Sequence, residues 1–571
     1  MAKDLPAWTI ADFIHRGYWW ENRGILLLNL YLLIPLLSST VNGYDSSLIN
    51  GLQILPMWQQ TFGDPRGIPL GLISAAQMVG GLIALPVAPY FSDWFGRRFS
   101  LFLGAVVMLA GVSLQATATT LSQFIGARAL LGAGLQTELN SAPLLVLELS
   151  YPTQRGKLTS IYNSLWYSGS VLAAWTCFGA YNGAKTSQWS WRIPSIVQAF
   201  GPLLQISMVW FMPESPRWLI STGRESQAAR ILSKFHANGY DERDPLVVFE
   251  MAQIRYALKM ERDTSQVASF LTLFRTPGNR KRMRIILAIA IFSQWSGNGL
   301  VSYYINLVLE GVGFTQSSTK AAINGALQIW NLICAITGAS LVDKLGRRAI
   351  FLMSNAGMLI TFSAWTLTTA LFNTIHSTQA AKATIPFIFL FYLFYDLAYA
   401  PMIVSYTLEI LPFNIRAKGF ALLNITISLT LAFNQFVNPW ALDAIGWKYY
   451  LVYCGWLGIE LIFVLKYVIE TRGRTLEETA VLFDGEDFPA EIELHAGEAA
   501  TVTMELTRAD NRMTDVANAD AKTVDDKRSS AISSNHTHEL PGLSRADSWV
   551  RPSSSGSRPP PLADGGIGVA L

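Results

Sequence analysis

The chain has 571 residues, of which 51% are hydrophobic and only 15% charged, and its net charge is +3. Soluble domains carry about 25% charged residues, so the composition points away from a soluble globular protein, and so small a net charge argues against a nucleic-acid partner. The three cysteines, Cys177, Cys334 and Cys454, all lie in apolar runs, which argues against a disulfide framework or a metal site.

Residues 1–24 are polar and aromatic and lack the charged start and short apolar core of a cleaved signal peptide. A spanning helix needs about 20 mainly apolar residues. Twelve stretches meet that requirement, at 25–55, 69–92, 99–118, 121–147, 158–180, 193–212, 284–309, 321–342, 349–372, 385–408, 419–440 and 447–468. The expectation is an all-α membrane protein with one six-helix half over 25–212 and another over 284–468. Residues 213–283 are charged and partly helical and form a linker, in which "RESQAARILSKFHANG" has helical periodicity. A short charged segment, 469–484, follows the last span. Residues 485–571, rich in Ser, Pro, Gly, Asp and Thr, read as a disordered tail.

Basic residues set the orientation. The loops after spans 2, 4, 8 and 10 carry Arg97/Arg98, Arg155/Lys157, Lys344/Arg347/Arg348 and Arg416/Lys418, whereas the alternate loops carry one or two such residues at most. The basic side is therefore expected to be cytoplasmic. An even number of spans puts both termini and the linker there as well. The sequons at Asn424 and Asn535 then fall within a span and in the cytoplasm, so neither is expected to carry glycan.

The chain repeats itself. "DWFGRR" (Asp93, Gly96, Arg97, Arg98) recurs as "DKLGRR" (Asp343, Gly346, Arg347, Arg348), 250 positions on. "ELSYPTQRG" (Glu148, Arg155) recurs as "EILPFNIRAKG" (Glu409, Arg416), and "PESPR" (Glu214, Arg217) has a weaker echo in "IETRG" (Glu470). A single such motif has a plainer alternative, a solvated charged loop. Three in register predict a duplicated bundle with a substrate site between its halves near the midplane. Acid and Arg at these helix ends can pair across the halves when the inner side is closed and must part when it opens.

These motifs, with "RALLGAG" (Arg128–Gly134), "PESPRWL" and "ETRGRTLEE", resemble the sugar-porter branch of the major facilitator superfamily over about 25–480. "GYDSSLINGLQ", "YNSLWYSGS" and "QWSGNGLVSYY" are similar to its fungal lactose/cellodextrin-permease-like members or hexose transporters. The resemblance implies alternating access, a central sugar site and, in many members, proton coupling. It assigns substrate contacts to Asn163, Gln294, Asn298 and Asn331, whose amides suit uncharged hydroxyls. Trp166, Trp295 and Trp330 are candidate rings for a pyranose face, with lipid or core packing as the alternative for each. Ser293, Gly299 and Val404 stand where the family has Gln, Asn and Trp, and a site so altered is expected to admit a larger sugar, such as a disaccharide.

Ionisable residues inside spans are costly and face a cavity or a partner. Asp45 and Arg128 are the expected proton-coupled pair, the alternative being a static ion pair that fixes span 1 to span 4. Glu138 reads as a water-exposed acid near the inner mouth or as a second proton site, and Asp396 as a positioner of the inner-gate helices. The histidines fall in loops or tails, so none is an obvious proton relay. The expected function is import of a mono- or disaccharide by proton symport. The alternatives are an uncoupled facilitator, or a sugar sensor signalling through its tail. Partners are the sugar, the proton, the bilayer and, at the Ser-rich tail, endocytic ubiquitination machinery, with the plasma membrane as the location. No phosphate loop, nucleophile elbow or metal cluster is present in the sequence, so no enzyme, cofactor or metal is expected.

Overall fold

Capping residues and long apolar runs set the element boundaries of this chain. The computed structural model describes residues 18–237, 239, 244–267, 270–411, 413–472 and 482–483. The expected tail 485–571, residues 1–17 and "GRTLEE" lie outside the described residues. Among the described residues the regular structure is helical throughout, with twenty α-helices. In the first half these are α1 (Arg23–Leu52), α2 (Pro56–Phe62), α3 (Ile68–Ala84), α4 (Ala88–Phe95), α5 (Arg97–Ala116), α6 (Leu121–Leu149), α7 (Arg155–Gly183), α8 (Trp189–Val197) and α9 (Phe200–Met208). The linker holds α10 (Pro216–Ser221), α11 (Glu225–Phe235), α12 (Pro245–Val267) and α13 (Thr272–Arg275). The second half holds α14 (Pro277–Trp295), α15 (Asn298–Glu310), α16 (Ser317–Leu345), α17 (Arg347–Ile375), α18 (Thr378–Ile410), α19 (Phe413–Ile445) and α20 (Tyr449–Tyr467).

The starts follow local chemistry. The Asn22 side chain accepts from the Gly24 and Ile25 N–H groups at the head of α1, and Thr120 and Ser377 cap α6 and α18 in the same way. The seventh span begins earlier than its apolar run, at Pro277, because Thr276 caps a proline-led first turn there. Two spans are broken. α3 and α4 meet at 47°, and α14 gives way to α15 at Gly297, whose φ is +98°.

Length and apolarity alone qualify eight helical stretches as spans, or nine with the bent α3–α4 pair. One of them, Lys418–Tyr467, contains both α19 and α20. The two 29-residue helices α6 and α7 complete twelve spans. They fall short on hydropathy because α6 carries Arg128 and Glu138, and α7 carries Asn163 and a run of hydroxyl residues. The chain is a multi-pass membrane protein.

In the first half α1 lies along α7, and α6 lies between α3 and α5. Glycine makes these approaches possible. A Cβ on Gly43 of α1 would fall within 1.8 Å of the Trp166 carbonyl oxygen of α7, and one on Gly132 of α6 within 1.8 Å of that of Gln77 on α3. In the second half α18 packs on α16 and α17, and α14 on α19. The halves meet along α7–α16, α3–α19 and α1–α15.

Candidate functional site

The broken helices and the α7–α16 seam enclose a cavity of about 440 Å³ between the halves. Amides line it from both sides: Asn42, Gln77 and Gln136 from the first half, and Gln294, Asn298, Gln328, Asn331 and Asn424 from the second. Among the described residues no Asp, Glu, Lys or Arg lines it. Asn298 donates to the Ser293 carbonyl (3.2 Å) and to the Tyr395 hydroxyl (2.9 Å), which leaves its buried Oδ1 without a partner. Asn331 likewise has a buried, unpartnered Oδ1. Such orphaned acceptors beside a cavity are suited to ligand hydroxyls. Gln294 donates to the Ser293 hydroxyl at 3.2 Å, so this serine, buried and outside the lining, acts on the wall only by holding Gln294.

Not every candidate reaches the cavity. Asn163 is exposed and outside the lining, one turn nearer the basic end than Trp166 and Tyr167, which line it. Trp295 packs on Phe433 and Trp456, and Trp330 donates to the Phe389 carbonyl, so neither ring faces the cavity. Val404 is half-buried and outside the lining.

Asp45 is fully buried on α1, with Oδ1 3.6 Å from Nη1 of Arg128. Gln77 donates to its Oδ2 at 2.5 Å, and Gln198 donates to Oδ1. Arg128 in turn donates to the Gln77 Oε1 and to the Asp45 carbonyl (3.3 Å). Gln77 therefore bridges the carboxylate and the guanidinium while also lining the cavity. Sequence reasoning missed Gln77 and Gln198. Their one signal was being amides within apolar runs, where an unsatisfied polar group is expensive.

The other buried acids differ. Asp396 accepts from the Tyr167 hydroxyl at 2.7 Å, a bond from one half to the other. Glu138 is not a water-exposed acid at the cavity mouth. It is fully buried inside the first half, where a Cβ on Gly104 of α5 would come within 2.8 Å of its Cγ. Packing of α5 against α6 seals it there.

At the basic end the motifs fold back on their own half. Gly96 (φ +98°) and Gly346 (φ +92°) turn the chain so that the first N–H groups of α5 and α17 point at an acid. The Arg97 N–H meets Glu214 at 3.1 Å, and the Arg347 N–H meets Glu470 at 2.9 Å. A Cβ on either glycine would strike that carboxylate, at 2.5 Å and 2.7 Å. Arg97 reaches Asp93 (2.9 Å) and Glu148 (3.6 Å), and Arg347 reaches Glu409 (3.0 Å). Burial pushes the Glu214 carboxyl up, against donors from Ser215, Arg98 and Arg97. Burial also raises Glu470, but the N–H groups of Arg472, Arg347, Arg348 and Thr471 outweigh it and hold that carboxylate below its ordinary range. Arg155 binds Glu250 of α12 at 3.0 Å, and Arg416 donates to the Leu411 carbonyl. Arg217 is half-buried on α10, and the side chain of Asp343 lies outside those described. The acid–arginine pairs of Arg97 and Arg347 each lie within one half, and that of Arg155 runs to the linker.

Besides the mid-span Tyr167–Asp396 bond, ties between the halves gather at the far end. Asn50 donates to Asn324 and accepts from the Ile305 N–H, Gln53 donates to the Tyr303 carbonyl, and Arg66 approaches Glu310 at 3.6 Å. The cavity continues the other way, past Leu85, Leu139 and Asn424. The bundle is closed at the far end and open toward the basic end.

Two six-helix halves around a midplane cavity that is sealed at one end define an alternating-access transporter. The chain belongs to the sugar (and other) transporter family, sugar porters of the major facilitator superfamily, whose family model matches residues 31–483. A high-affinity glucose transporter of Kluyveromyces lactis is 27% identical over 79% of this chain and 84% of its own length. An MFS-type transporter of Aspergillus oryzae, oryC, is 28% identical over 76% and 81%. The inward-open xylose transporter XylE of E. coli superposes with TM-score 0.65 at 22% identity, over 80% of this chain and 100% of that one, and supports the fold.

Proposed function

We propose that the protein imports a neutral sugar by proton symport across the plasma membrane, with its basic end in the cytoplasm. The observation that carries this reading is the Gln77 bridge: one amide joins the buried Asp45–Arg128 pair to an uncharged, amide-lined cavity. Protonation of Asp45 removes its attraction to Arg128 and loosens α1 against α6. The cavity-lining α3 feels this through Gln77, so proton and sugar bias the same equilibrium between end-open states. Amides on both walls suit a substrate with hydroxyls on two faces, so a disaccharide is the first to test, then hexoses.

The test is uptake of labelled mono- and disaccharides in transporter-null yeast at two external pH values, with a protonophore control. Symport predicts faster uptake at the lower pH and collapse of accumulation with the protonophore. Asp45→Asn is expected to abolish accumulation and retain exchange of sugar across the membrane. Accumulation by Asp45→Asn would overturn the proton assignment. Glucose entry without disaccharide entry would overturn the disaccharide preference and leave the neutral-sugar reading standing.

A further inference from the structure

Asp45 must exist both with and without a proton, yet it is sealed from water, so its hydrogen-bond partners have to serve both forms. A carboxylate only accepts, so both amides that touch it present N–H groups. Gln77 is not free to turn over. Its Oε1 is held by Arg128, which can only donate. Gln198, in contrast, is held on its Oε1 by another amide, Nε2 of Gln115 near the far end of α5, at 3.2 Å. The Oε1 of Gln115 is buried and without a partner.

We propose that Gln198 and Gln115 form an invertible amide pair that makes Oδ1 of Asp45 the proton-accepting oxygen. This rests on the symport reading above. When a proton from far-side water binds Oδ1, the new O–H needs an acceptor. Gln198 turns its Oε1 to it, and its Nε2 then faces Gln115, whose turned amide supplies the acceptor that was idle. An O–H bond of a far-side hydronium breaks as the one on Oδ1 forms, a water molecule is left behind, nothing is oxidised or reduced, and the count of hydrogen bonds is unchanged. The same reversal at Oδ2 would set the Gln77 N–H groups against the Arg128 donors. Oδ1 is also the oxygen 3.6 Å from Arg128, so a proton there ends the ion pair directly while Gln77 stays attached. The titratable and charged groups around the site are Arg128 on α6 and Tyr44 on α1 itself. Tyr304 of α15 faces Arg128, and Cys177 of α7 faces Tyr44. From α3 and the turn that follows α8 the contacts are the amides of Gln77 and Gln198.

Gln198 and Gln115 are positioning residues, and the readout is the pH midpoint of proton-driven uptake. Gln198→Leu removes a charge-assisted bond from the ionised form and a weaker neutral one from the protonated form. It should move the midpoint up by about one pH unit. Gln115→Leu moves the orphaned group from Gln115 to Gln198, a carbonyl in the ionised form and an N–H in the protonated form as in the wild type, so its midpoint should stay close to that of the wild type. Gln115→Met keeps the side-chain length and offers a sulfur that accepts but does not donate, so it favours the protonated form and should move the midpoint up by a few tenths of a unit. A Gln198 amide fixed toward Asp45 would leave both Gln115 variants alike. Upward shifts in Gln198→Leu and Gln115→Met but not in Gln115→Leu support the pair, whereas a Gln115→Met variant that titrates like Gln115→Leu, or no shift in Gln198→Leu, overturns it. Should a leucine variant fail to reach the membrane, Gln198→Ile or Gln115→Ile replaces it and is read identically. Wild-type uptake that ignores pH overturns the symport reading and this pair together. A pH-dependent wild type without this pattern overturns the pair alone.

Discussion

Two glutamates that the repeat makes equivalent, Glu214 and Glu470, do the same geometric job under different solvation. Both receive N–H groups from the head of a helix behind a left-handed glycine. Glu214 is raised by burial, whereas Glu470 is held low by its donors. The signs then differ. Glu470 contributes stability above its unfolded value, and that contribution is lost as pH falls through its lower folded value. Glu214 carries a burial cost when ionised, so stability is fullest below its unfolded value and declines as pH rises through the raised folded one. In detergent melts from pH 7 to pH 4, the midpoint of wild type should fall relative to that of Glu470→Gln and rise relative to that of Glu214→Gln. Parallel trends would contradict the solvation difference. The motif spelling displays the acids, but not how deep each one sits. Asn163 shows the same limit. Its residue type suits a sugar, but the rotation of α7 presents Trp166 and Tyr167 to the cavity instead.

At the scale of elements, span count and repeat were legible because hydropathy and spacing are properties of the chain itself. The two helices weakest in hydropathy, α6 and α7, are weak because they carry polar residues of the interior, so function blurred the fold signal there. The linker was legible as helical, but its attachment was not. His236 places Nδ1 2.6 Å from Glu250 and Nε2 3.1 Å from the Leu149 carbonyl, while Arg155 takes the other Glu250 oxygen at 3.0 Å. The clamp joins α11 and α12 to the end of α6 and the start of α7, and it depends on residues up to 101 positions apart in sequence, Leu149 and Glu250. His236→Leu removes both ring contacts and leaves at least one buried acceptor, Glu250 or the Leu149 carbonyl, short of its partner, at a cost of about 1–3 kcal/mol. Amide hydrogen exchange within Pro245–Val267 should become faster in this variant. Unchanged exchange would mean that the apolar contacts of Trp218, Leu232 and Val247 hold the linker by themselves.

For the whole molecule, the state is decided by how the halves close at the far end, because the motif pairs at the basic end are satisfied within each half. Closure there includes a backbone-close crossing of α3 and α19, where a Cβ on Gly71 would lie 2.7 Å from the Phe436 carbonyl oxygen. An alternating-access cycle has to separate these two helices when the far end opens. A larger side chain at Gly71 therefore strains the present state and spares the other. Overpacking of this kind costs about 1–3 kcal/mol, enough to change the ratio of states by roughly 5- to 150-fold. Gly71→Val, placed in a Ser46→Cys background so that a cavity residue carries the thiol, should speed labelling by an impermeant maleimide from the far side. It should also slow labelling from the basic side in inverted vesicles. Gly179→Val on α7, where a Cβ would meet nothing within 4 Å, should change neither rate. If Gly71→Val labels like Gly179→Val, the α3–α19 contact does not hold the far end closed, and the closure must rest on Asn50, Gln53 and the Arg66–Glu310 pair.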